Sequence, residues 1–154
     1  LENLEGSSLA RRNETTSCMV LVAIVEKGAI LYTVGTTYFT WVPSGEPTDF
    51  QRKDAVSLLG IVEPLARLVL AGDFNIPRDG EIYRLLTSEL TDWVPRSIMN
   101  TLDPELHTLQ GRIEVVSDYI FTKGGGQKIS SVEITFGVSD HGALSATVIS
   151  DYEP

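Results

Sequence analysis

Leu68-Val69-Leu70-Ala71-Gly72-Asp73-Phe74-Asn75-Ile76-Pro77 is the stretch on which the reading of this chain turns. It opens as a short apolar run, the pattern of a strand buried on both faces. Gly72 marks where the chain leaves the sheet, and Pro77 blocks a simple continuation. An acid, Asp73, and an amide, Asn75, therefore emerge together at the C-terminal end of a central strand. That is a rigid place from which to present oxygen ligands. Asp and Asn also favour plain turns. Taken alone, the four residues 72–75 fit a strand-ending turn as well as a site.

Working outward, the segment before this strand predicts a helix. Thr48 with Gln51 three places on is a capping-box pattern. Ala55, Leu58, Leu59, Val62 and Leu65 then recur at helical spacing, with Pro64 near the end. Further upstream, residues 18–25 and 30–39 predict two strands joined by a turn at Glu26-Lys27-Gly28-Ala29, a hairpin. A loop over 41–47 follows, set by Pro43, Gly45 and Pro47. Strand, helix, strand in this order predicts a crossover packed on a sheet face.

Downstream, Ile82, Leu85, Leu86 and Leu90 mark one side of a helix over 80–89. Residues 91–110 are irregular and broken by Pro95 and Pro104. That is long for a structureless connection, so the segment reads as a functional loop or as holding a short helix. Strands are predicted over 113–122, 128–136 and 143–149. Gly124-Gly125-Gly126 joins two of them, and with no helix N-terminus following it reads as a hairpin, not a phosphate loop.

The chain has 154 residues, one domain of ordinary size, with 42% apolar and 21% charged residues. Residues 1–17 are polar and without a clear period, a terminal segment or linker in which Arg11 and Arg12 are solvated. They lack the hydrophobic core of a signal peptide, and no apolar run reaches the length of a membrane span. The single cysteine, Cys18, excludes an internal disulfide and fits burial in a reducing, cytoplasmic setting. The formal net charge of −9 argues against a broad basic surface for non-specific nucleic-acid binding. It leaves a nuclease open, because a metal-rich site itself needs clustered carboxylates.

Three further places resemble residues 72–75 in their position. Tyr38 ends the second predicted strand. Asp118, in Ser117-Asp118-Tyr119-Ile120, is a carboxylate within an otherwise apolar strand. Ser139-Asp140-His141 precedes the last strand. A charge in a buried strand is costly unless it is paired. Asp118 thus needs a partner, and His141 is the candidate: a carboxylate on one ring nitrogen fixes the tautomer and favours the imidazolium. The plain alternative for 139–141 is a polar turn. It weakens because several such groups end or begin core strands.

Together, Gly72-Asp73-Phe74-Asn75, Asp118-Tyr119-Ile120 and Ser139-Asp140-His141 with the following Gly-Ala-Leu resemble motifs of the endonuclease/exonuclease/phosphatase superfamily. Thr36-Thr37-Tyr38-Phe39 is similar to the strand end where many members carry Thr-His. The resemblance runs from about residue 18 to residue 149. It implies a DNase I-like α/β (α+β) fold, a β-sandwich with flanking helices, and cleavage of phosphate esters with a divalent cation, Mg²⁺ or Mn²⁺. Carried over by position, Asp73 would orient or deprotonate the attacking water and also stand at the metal. Asn75 would bond the scissile phosphate. His141 would contact the phosphate, and Asp118 would orient His141. Asp140 would sit at the metal, directly or through water. Tyr38 would line the phosphate pocket, as a Tyr where many members have His. These residue types suit the chemistry, with hard oxygens for Mg²⁺ and donors for the transition-state phosphate.

The resemblance also implies parts that the sequence does not match. Family members carry an Asn and a metal-binding Glu near their first strands, and Asn13-Glu14 do not fit those motifs. Residues 18–154 thus resemble the C-terminal portion of such a domain, one mixed sheet plus helices. An apolar sheet face would then be left for a missing N-terminal half, a second copy in a homodimer, or another partner. Two readings follow: a metal-dependent phosphoesterase acting on nucleic acid or another phosphate ester, or a truncated non-catalytic half-domain acting through protein contacts. Trp41 reads equally as a groove-flanking substrate contact and as a loop anchor. Trp93 reads as packing beneath the long loop. His107 is expected to be exposed, with the 91–110 loop bordering the site as the alternative. For Arg96 and Arg112 solvation is the default and phosphate contact the alternative.

Overall fold

The computed structural model describes residues 19–42, 45–125 and 127–150. The expectations for residues 1–17, Cys18 and Pro43 lie outside the described residues; the hairpin expected across residues 124–126 is not formed, because the strands on either side of it belong to different sheets. Among the described residues, seven strands and two helices follow in order: β1 Met19–Lys27, β2 Ile30–Tyr38, α1 Asp49–Val62, β3 Leu68–Asp73, α2 Glu81–Thr87, β4 Thr91–Asp92, β5 Asp118–Lys123, β6 Gln127–Thr135 and β7 Ala143–Ser150.

The fold is a mixed α+β architecture of the expected DNase I-like kind, but its strands do not all share one sheet. A five-stranded sheet has the order β1-β2-β3-β5-β4, and β6 and β7 form a separate antiparallel pair. The hairpin β1–β2 is antiparallel, with Gly28 at φ 65° in its turn. The helical crossover makes β2 and β3 parallel, and β5 then runs antiparallel to β3.

β3 is central because its apolar residues are buried on both faces: Leu68 and Leu70 are 0% exposed and Val69 6%. On the face of Leu70 an aromatic cluster fills the core. Phe74 meets Phe121 edge-on at 4.9 Å and Tyr119 at 5.9 Å, and Tyr83 of α2 lies 5.4 Å from Tyr119. Ala55, Leu58 and Val62 of α1 belong to the same core. So does Ile129 of β6, with Leu144 and Val148 of β7 packed against it.

α1 starts at Thr48, whose hydroxyl accepts the Gln51 N–H at 3.3 Å. The reciprocal half of the capping box is not made. The Gln51 side chain instead donates to the Thr40 carbonyl at 2.7 Å, and the Thr40 hydroxyl donates to Asp54. The helix thereby fixes the chain just beyond β2. It ends at Val62, short of Leu65, because Pro64 cannot continue it.

Residues 91–110 are ordered by side chains. The nearly buried Arg78 guanidinium donates to the carbonyls of Val94 and Ile98 and faces the Asp92 carboxylate. Trp93 donates its indole N–H to Thr122 at 2.8 Å, which is packing beneath this segment. The strand predicted from residue 113 begins only at Asp118. Before that point the backbone is tied elsewhere: Val115 N–H to Asn100 Oδ1, and Ser117 N–H to Thr101 Oγ1.

Among the described residues, none covers one face of the β1–β2 hairpin. Register places Met19, Leu21 and Val34 on the face that carries Tyr38. Met19 is 76% exposed and Leu21 69%.

Candidate active site

Sheet register builds the first part of the site. Asp73 is paired with Tyr38 on one side and with Asp118 on the other, so the three side chains form one row across β2, β3 and β5. The backbone then turns away sharply. Gly72 has φ 153°, and a Cβ there would stand 2.0 Å from the Thr37 carbonyl oxygen, so only glycine fits. Asn75 adopts φ 50°, a left-handed conformation that Asn tolerates. Its N–H donates to Asp73 Oδ1 at 2.9 Å, and its side-chain amide donates to the Phe39 carbonyl at 2.8 Å. The acid and the amide are thus locked to each other and to the end of β2.

The second part arrives from the loop before β7. His141 Nδ1 lies 2.9 Å from Asp118 Oδ2, which also accepts the Ser117 hydroxyl. Asp118 is therefore not within a buried strand: it opens β5 and is half-buried. The bond puts the His141 proton on Nδ1 and leaves Nε2 for the cavity.

Two residues that the sequence did not single out, Thr101 and Asp103, hold this loop, and a third residue, expected on the surface, borders it. The fully buried Thr101 hydroxyl accepts the Ser117 and Asp118 N–H groups, and its carbonyl accepts the Gly142 N–H. Asp103, 2% exposed, donates its N–H to the Asp140 carbonyl, and its carboxylate accepts the N–H groups of Glu105, Leu106 and Gly137. These bonds hold the Asp103 carboxyl below its ordinary range. The third, His107, is half-buried and not exposed, with its ring 5.8 Å from that of His141. The signal was an Asp in an irregular segment three places after an Asn, which is indistinguishable from turn chemistry.

These groups line one open cavity of about 610 Å³: Tyr38, Trp41, Asp73, Asn75, Asp118, Asp140 and His141, with His107, Thr108, Leu109 and Ser139. All seven site residues predicted from the sequence meet there. Tyr38 and Trp41 stand 56% and 59% exposed on its wall. Arg96 is elsewhere, paired with Asp79 at 2.6 Å, and Arg112 does not line the cavity.

Among the described lining residues there is neither Lys nor Arg. Burial chiefly pushes the Asp73 carboxyl up to about 6; the Asn75 N–H opposes this, and the Asp118 carboxylate adds to it. For His141 burial pulls downward, but the bond to Asp118 and the charges of Asp118, Asp73 and Asp140 outweigh it, so the imidazolium is favoured.

Asp73, Asp118 and His141 bring ligand atoms within 4.8 Å of one another, a possible cation site. Asp73 Oδ1 and Asp118 Oδ2 are already bonded within the protein. The second oxygens of both, with Asp140 on the same cavity, are the hard donors left over, and they fit a hard divalent cation.

An α+β sandwich with a carboxylate–imidazole cavity at its strand ends defines the class of DNase I-like proteins. Residues 8–141 match the model of the Endonuclease/Exonuclease/phosphatase family, and the chain belongs to that family. Its members are hydrolases acting on phosphate esters. Similar solved structures include an endonuclease/exonuclease/phosphatase from Bacteroides vulgatus, with TM-score 0.68, 17% identity, and coverage of 87% of this chain and 56% of that one. A humanized D. rerio TDP2 gives TM-score 0.62 and 16% identity over 90% of this chain and 64% of that one. A mannosyl-6-phosphatase from Bacteroides thetaiotaomicron gives 0.54 and 15% over 79% and 52%. The chain thus spans between half and two thirds of these structures' lengths. No curated protein matches it.

Proposed function

We propose that this chain carries the water- and phosphate-handling part of a divalent-metal-dependent phosphoesterase. The observation that carries the reading is the cavity's charge pattern. Three carboxylates and two imidazoles converge where no Lys or Arg is present among the described lining residues. Carboxylates repel a phosphate, so the pattern makes sense with a cation between them.

Asp73 orients the attacking water and takes its proton, for which a carboxyl raised to about 6 is well matched. The water oxygen bonds to phosphorus as the bond to the leaving oxygen breaks, and that oxygen departs with a proton from solvent or from His141. Asn75, held by the Phe39 carbonyl, offers its remaining amide N–H to the phosphate. His141 offers Nε2–H, and Asp118 holds the ring in place. Tyr38 and Trp41 contact the substrate from the wall. Asp140, with the second oxygens of Asp73 and Asp118, would hold Mg²⁺ or Mn²⁺, which when bound would neutralise charge on the phosphate.

The test is hydrolysis of a panel spanning plain and abasic DNA, sphingomyelin and inositol phosphates, with and without Mg²⁺. Turnover that survives chelation, or that persists in Asp73→Ala and His141→Ala, would sink the assignment. The net charge of −9 disfavours long duplex DNA as the substrate.

The open apolar face of β1–β2 favours a second reading, in which residues 18–154 form the C-terminal portion of a two-part catalytic unit. The other part, or a second copy, would cover Met19 and Leu21. Sedimentation of the chain at increasing concentration separates the two: a monomer throughout argues against self-association.

A further inference from the structure

We propose that His107 is a substrate-contacting residue, donating Nε2–H to an oxygen of the phosphoryl group beside His141; this rests on the phosphoesterase reading above.

Four observations carry it. First, the ring's tautomer is set. The Leu109 N–H donates to His107 Nδ1 at 3.2 Å, so Nδ1 is an acceptor and the ring proton resides on Nε2. Second, the ring is at the site: it packs edge-on to His141, with centroids 5.8 Å apart and planes at 72°. That spacing lets two imidazoles reach oxygens of one phosphoryl group.

Third, the ring is held there. The His107 N–H donates to the Asp103 carbonyl at 3.1 Å, and the Gln110 N–H donates to the His107 carbonyl at 2.8 Å. Asp103 itself is fastened to the Asp140 carbonyl, so His107 and His141 are positioned by one buried residue. A side chain anchored through both its ring and its backbone has little entropy left to lose on contact.

Fourth, the described wall of the site holds no permanently cationic donor. The described cavity wall offers no Lys or Arg, and its carboxylates accept only. His107 also borders the adjoining apolar groove of about 330 Å³, lined by Leu102, Leu109, Ile113 and Val115. It therefore stands where the phosphoryl group meets the remainder of the ester.

The chain has two histidines, so its imidazole spectrum is simple. The experiment is a titration with inorganic phosphate in the presence of Mg²⁺, followed by proton–nitrogen correlation of both rings. Both should move with one half-saturation point. His107→Leu should weaken phosphate binding about tenfold, and His107→Gln, which keeps an N–H donor, should recover most of it. In turnover, the Leu variant should raise KM more than it lowers kcat. If His141 moves while His107 does not, or if His107→Leu binds phosphate as the parent does, His107 has no such role and the phosphoesterase reading stands. If neither ring moves, both fall.

Discussion

His141 Nδ1 and Asp118 Oδ2 lie 2.9 Å apart, and that bond joins the loop leading into β7 to the first residue of β5. It ties the two-stranded sheet to the five-stranded one at the mouth of the cavity. The Thr101 hydroxyl steadies the backbone on the Asp118 side, and Asp103 steadies the loop on the other.

Asp118→Asn should therefore keep the fold and lose the orientation of His141. We expect turnover to drop about 10- to 100-fold, the range for removing a carboxylate that orients a site histidine. Steady-state kinetics beside a melting curve checks this. A drop explained by unfolding would show as a lowered Tm.

Asp73 gives a pH signature opposite to that of most carboxylates. Its folded value is raised to about 6 from 3.8, so the native chain holds that proton more tightly. Its contribution to stability is full below about pH 4 and is lost as pH rises through about 6. Asp73→Asn should flatten this slope and stabilise the protein at pH 7.5 by about 1 kcal/mol, allowing for partial solvent screening. Urea unfolding at pH 4 and 7.5 measures both values.

Gly72→Ala should be severe. The added Cβ would meet the Thr37 carbonyl oxygen at 2.0 Å, and the atoms it would strike are all backbone of β2, not a side chain that could swing aside. A loss of about 4 kcal/mol or more is expected, in the class of strain at a special backbone conformation. Denaturant unfolding reads it directly, and an unchanged midpoint would contradict the geometry.

Much of this arrangement was legible because it is local. Leu68 to Asp73 is an apolar run closed by Gly and Pro, and such punctuation marks a strand end in any sequence. The pairing of Asp118 with His141 was legible for an energetic reason, since a charge among apolar neighbours needs a partner. What could not be read depends on contacts between distant segments. Ile113, Val115 and Val116 look like strand residues, yet Asn100 and Thr101 take the hydrogen bonds that a strand would need. β4 has only two residues and no period to detect. Asp103 and His107 belong to an aperiodic segment whose place is set by where β7 begins.

Asp103→Ala should loosen both the 103–107 turn and the loop carrying His141. Its carboxyl is held low, so its contribution is present above about pH 4 and disappears as pH falls through the depressed folded value. The variant should melt earlier than the parent at neutral pH, and the two should converge in acid. Hydrogen exchange at Leu106 and Gly137 should accelerate, since both N–H groups lose their acceptor.

The row Tyr38, Asp73, Asp118 exists only in one alignment of three strands. Side chains alternate along a strand, so a slip of β3 by one residue would turn Asp73 to the opposite face while leaving most of the backbone ladder intact. Secondary-structure signals would scarcely register such an error, but the cavity would lose its central acid. Ligand binding at this row is therefore a proofreading assay for the sheet: a mis-threaded molecule and a correct one can share a spectrum, yet only the correct one has a site.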